Sequence, residues 1–171
     1  ELDLGFTATH VAEGLVHPED DIFYLPVDNK IYYKDGSASF AAATVVLPAH
    51  QYITSICSYG KYIAIAGAPL GSPAEHSTVY LWDRNISTAV FVDEIDFGRG
   101  TLKILDVVEG VLLGIVERGN NTAYQKDQMI VRQYTGRPEA ETVMEFVIDD
   151  SGVFTIPIAK QHTNNRVYFM M

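Results

Sequence analysis

Apolar residues come along this chain in short bursts, each stopped by a polar turn, and the bursts recur. Four segments share one form: an apolar strand, a tight polar turn, then a second apolar strand. They are GLVHPEDDIFYLPV from Gly14, ITSICSYGKYIAIAG from Ile53, LKILDVVEGVLLGIV from Leu102 and FTIPIAKQHTNNRVYFMM from Phe154. Their turns carry Pro18-Glu19-Asp20, Tyr59-Gly60-Lys61, Glu109-Gly110 and Asn164-Asn165. Gly and Asn tolerate the positive φ that hairpin turns require, while Pro and Asp favour the bends of longer ones.

A third strand ending in polar residues follows each of the first three hairpins: NKIYYKDG at 29–36, STVYLWDRN at 77–85 and QMIVRQYTG at 128–136. A fourth follows it: FAAATVVLPA at 40–49, TAVFVDEIDFG at 88–98 and ETVMEFVID at 141–149. The last unit stops after two strands. Each segment is rich in β-branched and aromatic residues, which fit a pleated, half-buried surface. No segment carries a 3.6-residue apolar stripe over three turns. One stretch competes: in RPEAETVMEFVIDD, 137–150, Pro138 and the acidic residues after it are good openers of a helix. Register with the other units makes it an outer strand, and a strand is expected.

Turns recurring at a period of roughly 40 to 50 residues suit a four-stranded propeller blade. Sandwiches share the short strands but do not recycle one four-strand pattern. The expectation is an all-β fold, part of a β-propeller, with blades at about 10–49, 52–98 and 101–149 and an incomplete one at 152–171. Such a piece alone would leave strand edges unpaired. The chain opens on Glu1 and stops in RVYFMM within a strand pattern, so both ends are expected to be cut from something longer. Further segments of the same chain, copies or protein partners are expected to complete the ring.

Trp82, the only tryptophan, is followed by Asp83 where a WD blade would place that dipeptide. The equivalent position of the first unit reads Lys34-Asp35, the third has plain polar residues, and no Gly-His pair precedes any unit. Trp82 is therefore expected to supply buried aromatic area between neighbouring sheets rather than mark a true WD repeat.

Composition narrows the function. At 47% hydrophobic, the 171 residues can build a real core. The net charge of −10, with the 12 Lys and Arg scattered (Lys30, Lys61, Arg99, Arg118, Arg132), disfavours nucleic acid, which needs a cationic face. The longest apolar stretches, around 41–47 and 63–68, are too short for a membrane helix, and no membrane role is expected. The single cysteine, Cys57, allows no internal disulfide and reads as a small buried hydrophobe in a strand. Asn85-Ile86-Ser87 and Asn120-Asn121-Thr122 match the glycosylation acceptor pattern and carry little weight alone.

Candidate chemistry is sparse. His10, His17, His50, His76 and His162 have no metal-ligand spacing and read as solvated loop residues, though propeller loops converge and two or three could meet. HPEDD at 17–21 and DNKIYYKDG at 28–36 cluster oxygens without the spacing of a calcium loop, and DDSGVF at 149–154 has the wrong order for an Asp-box. Ser55, Ser58 and Ser72 have no evident base, and Glu13, Glu75, Glu94, Glu109 and Glu117 read as solvated carboxylates rather than a glycosidase pair. GAPLGSP at 67–73 lacks a phosphate-loop lysine. No catalytic, metal or cofactor residue is assigned. Two connections are long, 67–78 and 117–128, and such loops on a rigid scaffold commonly carry binding.

The stretch from Tyr52 to Gly110, through the VYLWDR strand, the DFGRG exit and the LKIL strand, resembles irregular propeller repeats of bacteriophage and other virion structural proteins. The likeness is close over about a third of the chain and otherwise rests on the blade pattern; quinoprotein-like and sialidase-like propellers share such glycine-punctuated blades. The resemblance implies a phage-tail or capsid-associated component in the virion, structural or binding and not enzymatic. The alternative is an extracellular propeller enzyme or glycan-binding domain whose active groups lie partly outside this piece.

Overall fold

A computed structural model describes residues 7–71, 75–118, 127–148, 161–163 and 166–168. These residues are all β, with no helix among them. The first sheet contains β1 (Leu15–Val16), β2 (Phe23–Val27), β3 (Lys30–Lys34) and β4 (Ala41–Val46). The second contains β5 (Gln51–Tyr59), β6 (Tyr62–Pro69), β7 (His76–Trp82) and β8 (Asp93–Arg99). The third contains β9 (Thr101–Val108), β10 (Val111–Arg118), β11 (Asp127–Gln133) and β12 (Glu141–Ile148), and β13 (Gln161–Thr163) pairs with β14 (Arg166–Tyr168). In every sheet the strands lie side by side in chain order and run antiparallel.

Turn chemistry sets the register. Val108 faces Val111 across Glu109-Gly110, with φ of 50° and 81°, the doubly positive turn that matches strand twist. Tyr59 faces Tyr62 across Gly60-Lys61, with Gly60 at φ 58°. The Asn164-Asn165 turn lies outside the described residues. A further two-residue turn, Asp28-Asn29, joins β2 to β3. The Asp28 carboxylate there accepts from the backbone N–H groups of Thr9 and His10, at 3.0 and 2.8 Å, and ties down the segment before β1.

The second sheet is apolar on both faces because its strands alternate two apolar sets. Ile63, Ile65, Tyr80 and Trp82 point one way and pack with Tyr24, Ile31, Val45 and Leu47 of the first sheet. Ala64, Ala66, Val79, Leu81 and Phe97 point the other way and pack with Leu102, Leu105, Leu112 and Val116 of the third. Each large aliphatic side chain so buried is worth about 1.5–3 kcal/mol relative to exposure. Trp82 meets Tyr24 edge-on at 5.6 Å, the inter-sheet role expected of it. Cys57 is buried in β5 at the seam with the third sheet, also as expected.

Polar groups stitch the seams where the chain passes between sheets. Thr54 Oγ1 donates to the Leu102 carbonyl. The Ser77 hydroxyl donates to Gly100 O at 2.7 Å and accepts from Leu102 N–H at 2.9 Å. Ile53 N–H donates to Asp28 O at 2.7 Å across the first seam. The outer strands are also held. Thr44 in β4 donates from backbone and hydroxyl to the Ile86 carbonyl, at 3.0 and 2.9 Å. Asp96 in β8 exchanges backbone bonds with Pro138 O and Ala140 N–H, at 2.7 and 2.8 Å. In both cases the partner is the connection between the third and fourth strands of the following sheet.

Two segments sharpen the sequence reading. Residues 141–148 form a strand, and the Pro138 region pairs with Asp96 instead of opening a helix. The fourth strand of the second sheet begins at Asp93, later than the apolar run from Thr88 predicts. Asp83 and Asn85 side chains accept from the N–H groups two residues on and hold 83–87 in successive turns. Phe91 then folds back onto Tyr80 at 4.5 Å, while Val90 and Val92 stay exposed.

Close approach at the second seam depends on a glycine. A Cβ at Gly114 would lie 2.6 Å from Phe97 Cε1 and 2.7 Å from Leu102 Cδ1. Gly114→Ala is expected to lower the unfolding free energy by about 1–3 kcal/mol in chemical denaturation. A neutral result would mean that the two sheets do not approach so closely.

Candidate functional site

Two polar clusters lie at the seams. The first joins the first and second sheets around Arg84, which follows β7 with φ 67°. Its guanidinium binds Asp20 and Glu19, each at 2.6 Å, donates to His17 Nδ1 at 3.0 Å, and its Nε donates to the Lys61 carbonyl at 2.9 Å. An arginine can only donate, so His17 Nδ1 is an acceptor and the ring proton sits on Nε2. That Nε2 is buried with no partner among the described residues. The Tyr24 hydroxyl donates to Asp20 at 3.0 Å. Burial first, and the neighbouring Asp20 carboxylate second, push the Tyr24 phenol well above its ordinary value, against the opposing pull of Arg84.

This cluster corrects one expectation. His17 is fully buried rather than a solvated loop residue. The carboxylates of HPEDD are likewise not arrayed around an ion: Glu19 and Asp20 serve Arg84, which approaches from 65 and 64 residues further along the chain.

The second cluster lies between β8 and the third sheet, lining a groove of about 270 Å³. Gly114, Val116 and Arg118 alternate onto the face of β10 that packs on the second sheet, and β11 sets Arg132 opposite Gly114 on that face. The Arg132 guanidinium fills the space over Gly98, where a Cβ would lie 2.6 Å from Cζ. Nη1 of Arg132 donates to Ala140 O at 3.2 Å, and its buried Nε has no partner among the described residues. Arg118 Nε donates to Arg99 O at 3.2 Å. His76 Nδ1 lies 2.7 Å from Asp96, whose carboxylate also accepts from Gly98 N–H at 2.6 Å. Burial first, and the charge of Arg118 second, lower the Arg132 pKa, opposed by Asp96, Glu139 and Glu145.

The remaining candidates stay apart. His10 stacks on Tyr52 at 4.4 Å, His50 is exposed, and the His162 side chain lies outside the described residues. Among the described residues, no three His, Cys, Asp or Glu side chains gather as a metal site. Glu117 pairs with Lys103 at 2.8 Å, Glu109 forms a turn, and Ser55 bonds the Leu105 backbone. Ser72 and DDSGVF at 149–154 lie outside the described residues. Scattered cations along the sequence concealed the grouping of Arg99, Arg118 and Arg132. Strand parity places Arg118 and Arg132 on one face only once the β10–β11 register is known.

Comparison with known proteins returned no matching family model, no similar curated protein and no similar solved structure.

Arg84→Ala is expected to cost about 1.5–3 kcal/mol in chemical denaturation, chiefly through Asp20. Glu19→Gln should cost much less, because Glu19 is exposed. Equal losses would contradict this division. Tyr24, Tyr80 and Tyr134 all have phenol pKa values raised above 10.0 in the folded state, each first by burial. Their contribution is complete below that value and falls as pH rises above it, since the unfolded chain then releases protons that the folded chain keeps. Stability followed across that range should decline, and less steeply in Tyr24→Phe. An unchanged slope in the variant would contradict the assignment to Tyr24.

Proposed function

We propose that this chain is a section of a β-propeller serving as a non-enzymatic structural or binding module, in the setting of a virion. The supporting observation is the repeated edge contact. The outer strand of the first sheet takes its bond from the β7–β8 connection at Ile86, and that of the second from the β11–β12 connection at Pro138 and Ala140. One unit thus follows the next by the same operation, as stacked blades do, whereas two sheets closing a single sandwich would need no such repetition. The face of the third sheet carrying Ile104, Ile115 and Met129 continues the series, because it corresponds to the face that the second sheet turns to the third. The virion setting rests on the sequence resemblance over 52–110.

Electron cryomicroscopy of the complete natural protein tests the architecture. The expected result is four-stranded sheets set around a common axis, with each outer strand bonded by its follower. Two sheets closed on each other, or a stack with no axis, would reject it. Mass spectrometry of purified particles tests the setting: the chain should copurify at fixed stoichiometry with capsid or tail proteins. Turnover by the complete protein in a glycoside-hydrolase screen would overturn the non-enzymatic reading.

A further inference from the structure

Three arginines in an acidic protein converge on one concavity, and among the described residues no carboxylate closes on them in an ion pair. The chain carries a net charge of −10, yet Arg99, Arg118 and Arg132 line a groove of about 270 Å³. Among the described residues none of the three forms an ion pair. Asp96 is already engaged by His76 and by Gly98 N–H. Glu139, on the groove wall, and Glu145 offset part of the charge without closing on a guanidinium.

The groove is built rather than incidental. Gly98, with φ 82°, leaves the room that the Arg132 guanidinium fills. Arg132 is braced by Ala140 O, and Arg118 by Arg99 O, so both forks are held before anything binds. One donor, Arg132 Nε, is buried and has no partner among the described residues. Two like charges that line one groove are relieved by one anion that accepts from both. The planar guanidinium fork matches carboxylate and phosphate oxygens and binds them in parallel hydrogen bonds. The groove also lies at strand ends: His76 opens β7 and Arg118 closes β10.

We propose that this groove binds a single oxyanion group, a carboxylate or a phosphate borne by a small ligand, held by Arg118 and Arg132 with Arg99 at its rim. A volume of about 270 Å³ lies just below the range of drug-sized pockets, which suits one small group and its immediate substituents. Neighbouring backbone, not a closed ring, forms the site, so it does not depend on the chain's being a propeller section.

The test is NMR titration of the complete chain with sodium phosphate and, separately, sodium acetate, at ionic strength held constant with chloride. Saturable shifts at the Arg132 and Arg118 side-chain N–H groups are the expected result. Saturation by phosphate only assigns the source to phosphate, by acetate only to carboxylate, and by both to general oxyanion recognition. Arg118→Gln should weaken binding about tenfold. Arg137→Gln, at an exposed arginine paired with Glu141 outside the groove, should leave it unchanged. Arg132 is packed over Gly98 and its removal could unfold the seam, so Arg99→Gln, on an exposed side chain, is the second groove variant. It should weaken binding with no change in melting temperature. Linear, non-saturating shifts with both anions, or saturable binding indifferent to Arg118→Gln and Arg99→Gln, would overturn the proposal.

Discussion

Everything in this structure depends on the second sheet being buried on both faces. A sheet with one apolar face can stop after one partner, but a sheet with two must be enclosed. In β6 the alternation of Ile63 and Ile65 with Ala64 and Ala66 leaves no solvent face, and β7 repeats the pattern with Val79 and Leu81 against Tyr80 and Trp82. The first and third sheets exist as flanks to that central layer. Their edge contacts through Ile86 and through Pro138 and Ala140 secure outer strands that would otherwise present unpaired backbone.

The two seams solve the packing problem differently. Toward the first sheet, large side chains interlock: Trp82 stands edge-on to Tyr24, and the Arg84 cluster closes the rim. Toward the third, the alanines of β6 and Gly114 of β10 let one large ring, Phe97, fill the space. At the rim of this second seam, glycine at 98 makes room for a charged group instead of an apolar one. The same device, a missing Cβ opposite a bulky partner, thus serves the core in one place and assembles a cationic groove in another.

Strand positions were readable from the chain because β-branched and aromatic bursts between turn residues carry a local signal. Glu109-Gly110 and Gly60-Lys61 name their own turns. The late start of β8 was not readable: Ala-Val-Phe-Val has the composition of a strand, and only the Asp83 and Asn85 turns together with the Phe91–Tyr80 contact explain why it is a connection. His17 misleads for a related reason. Beside Pro, Glu and Asp it reads as solvated, yet it is buried and bonded to an arginine 67 residues away. The arginine groove was equally invisible, since Arg99, Arg118 and Arg132 meet only through sheet register and the stacking of one sheet on the next. Local chemistry specifies elements; polar sites at seams are products of stacking.

Double-sided burial can be examined in one experiment. A nuclear Overhauser spectrum of the folded protein should contain cross-peaks between the Trp82 and Tyr24 rings and, in the same sample, between the Phe97 ring and the Gly114 α-protons. Both sets together are expected from a sheet enclosed on its two faces. One set without the other would mean that one of those faces is open, and the stacked arrangement would be wrong.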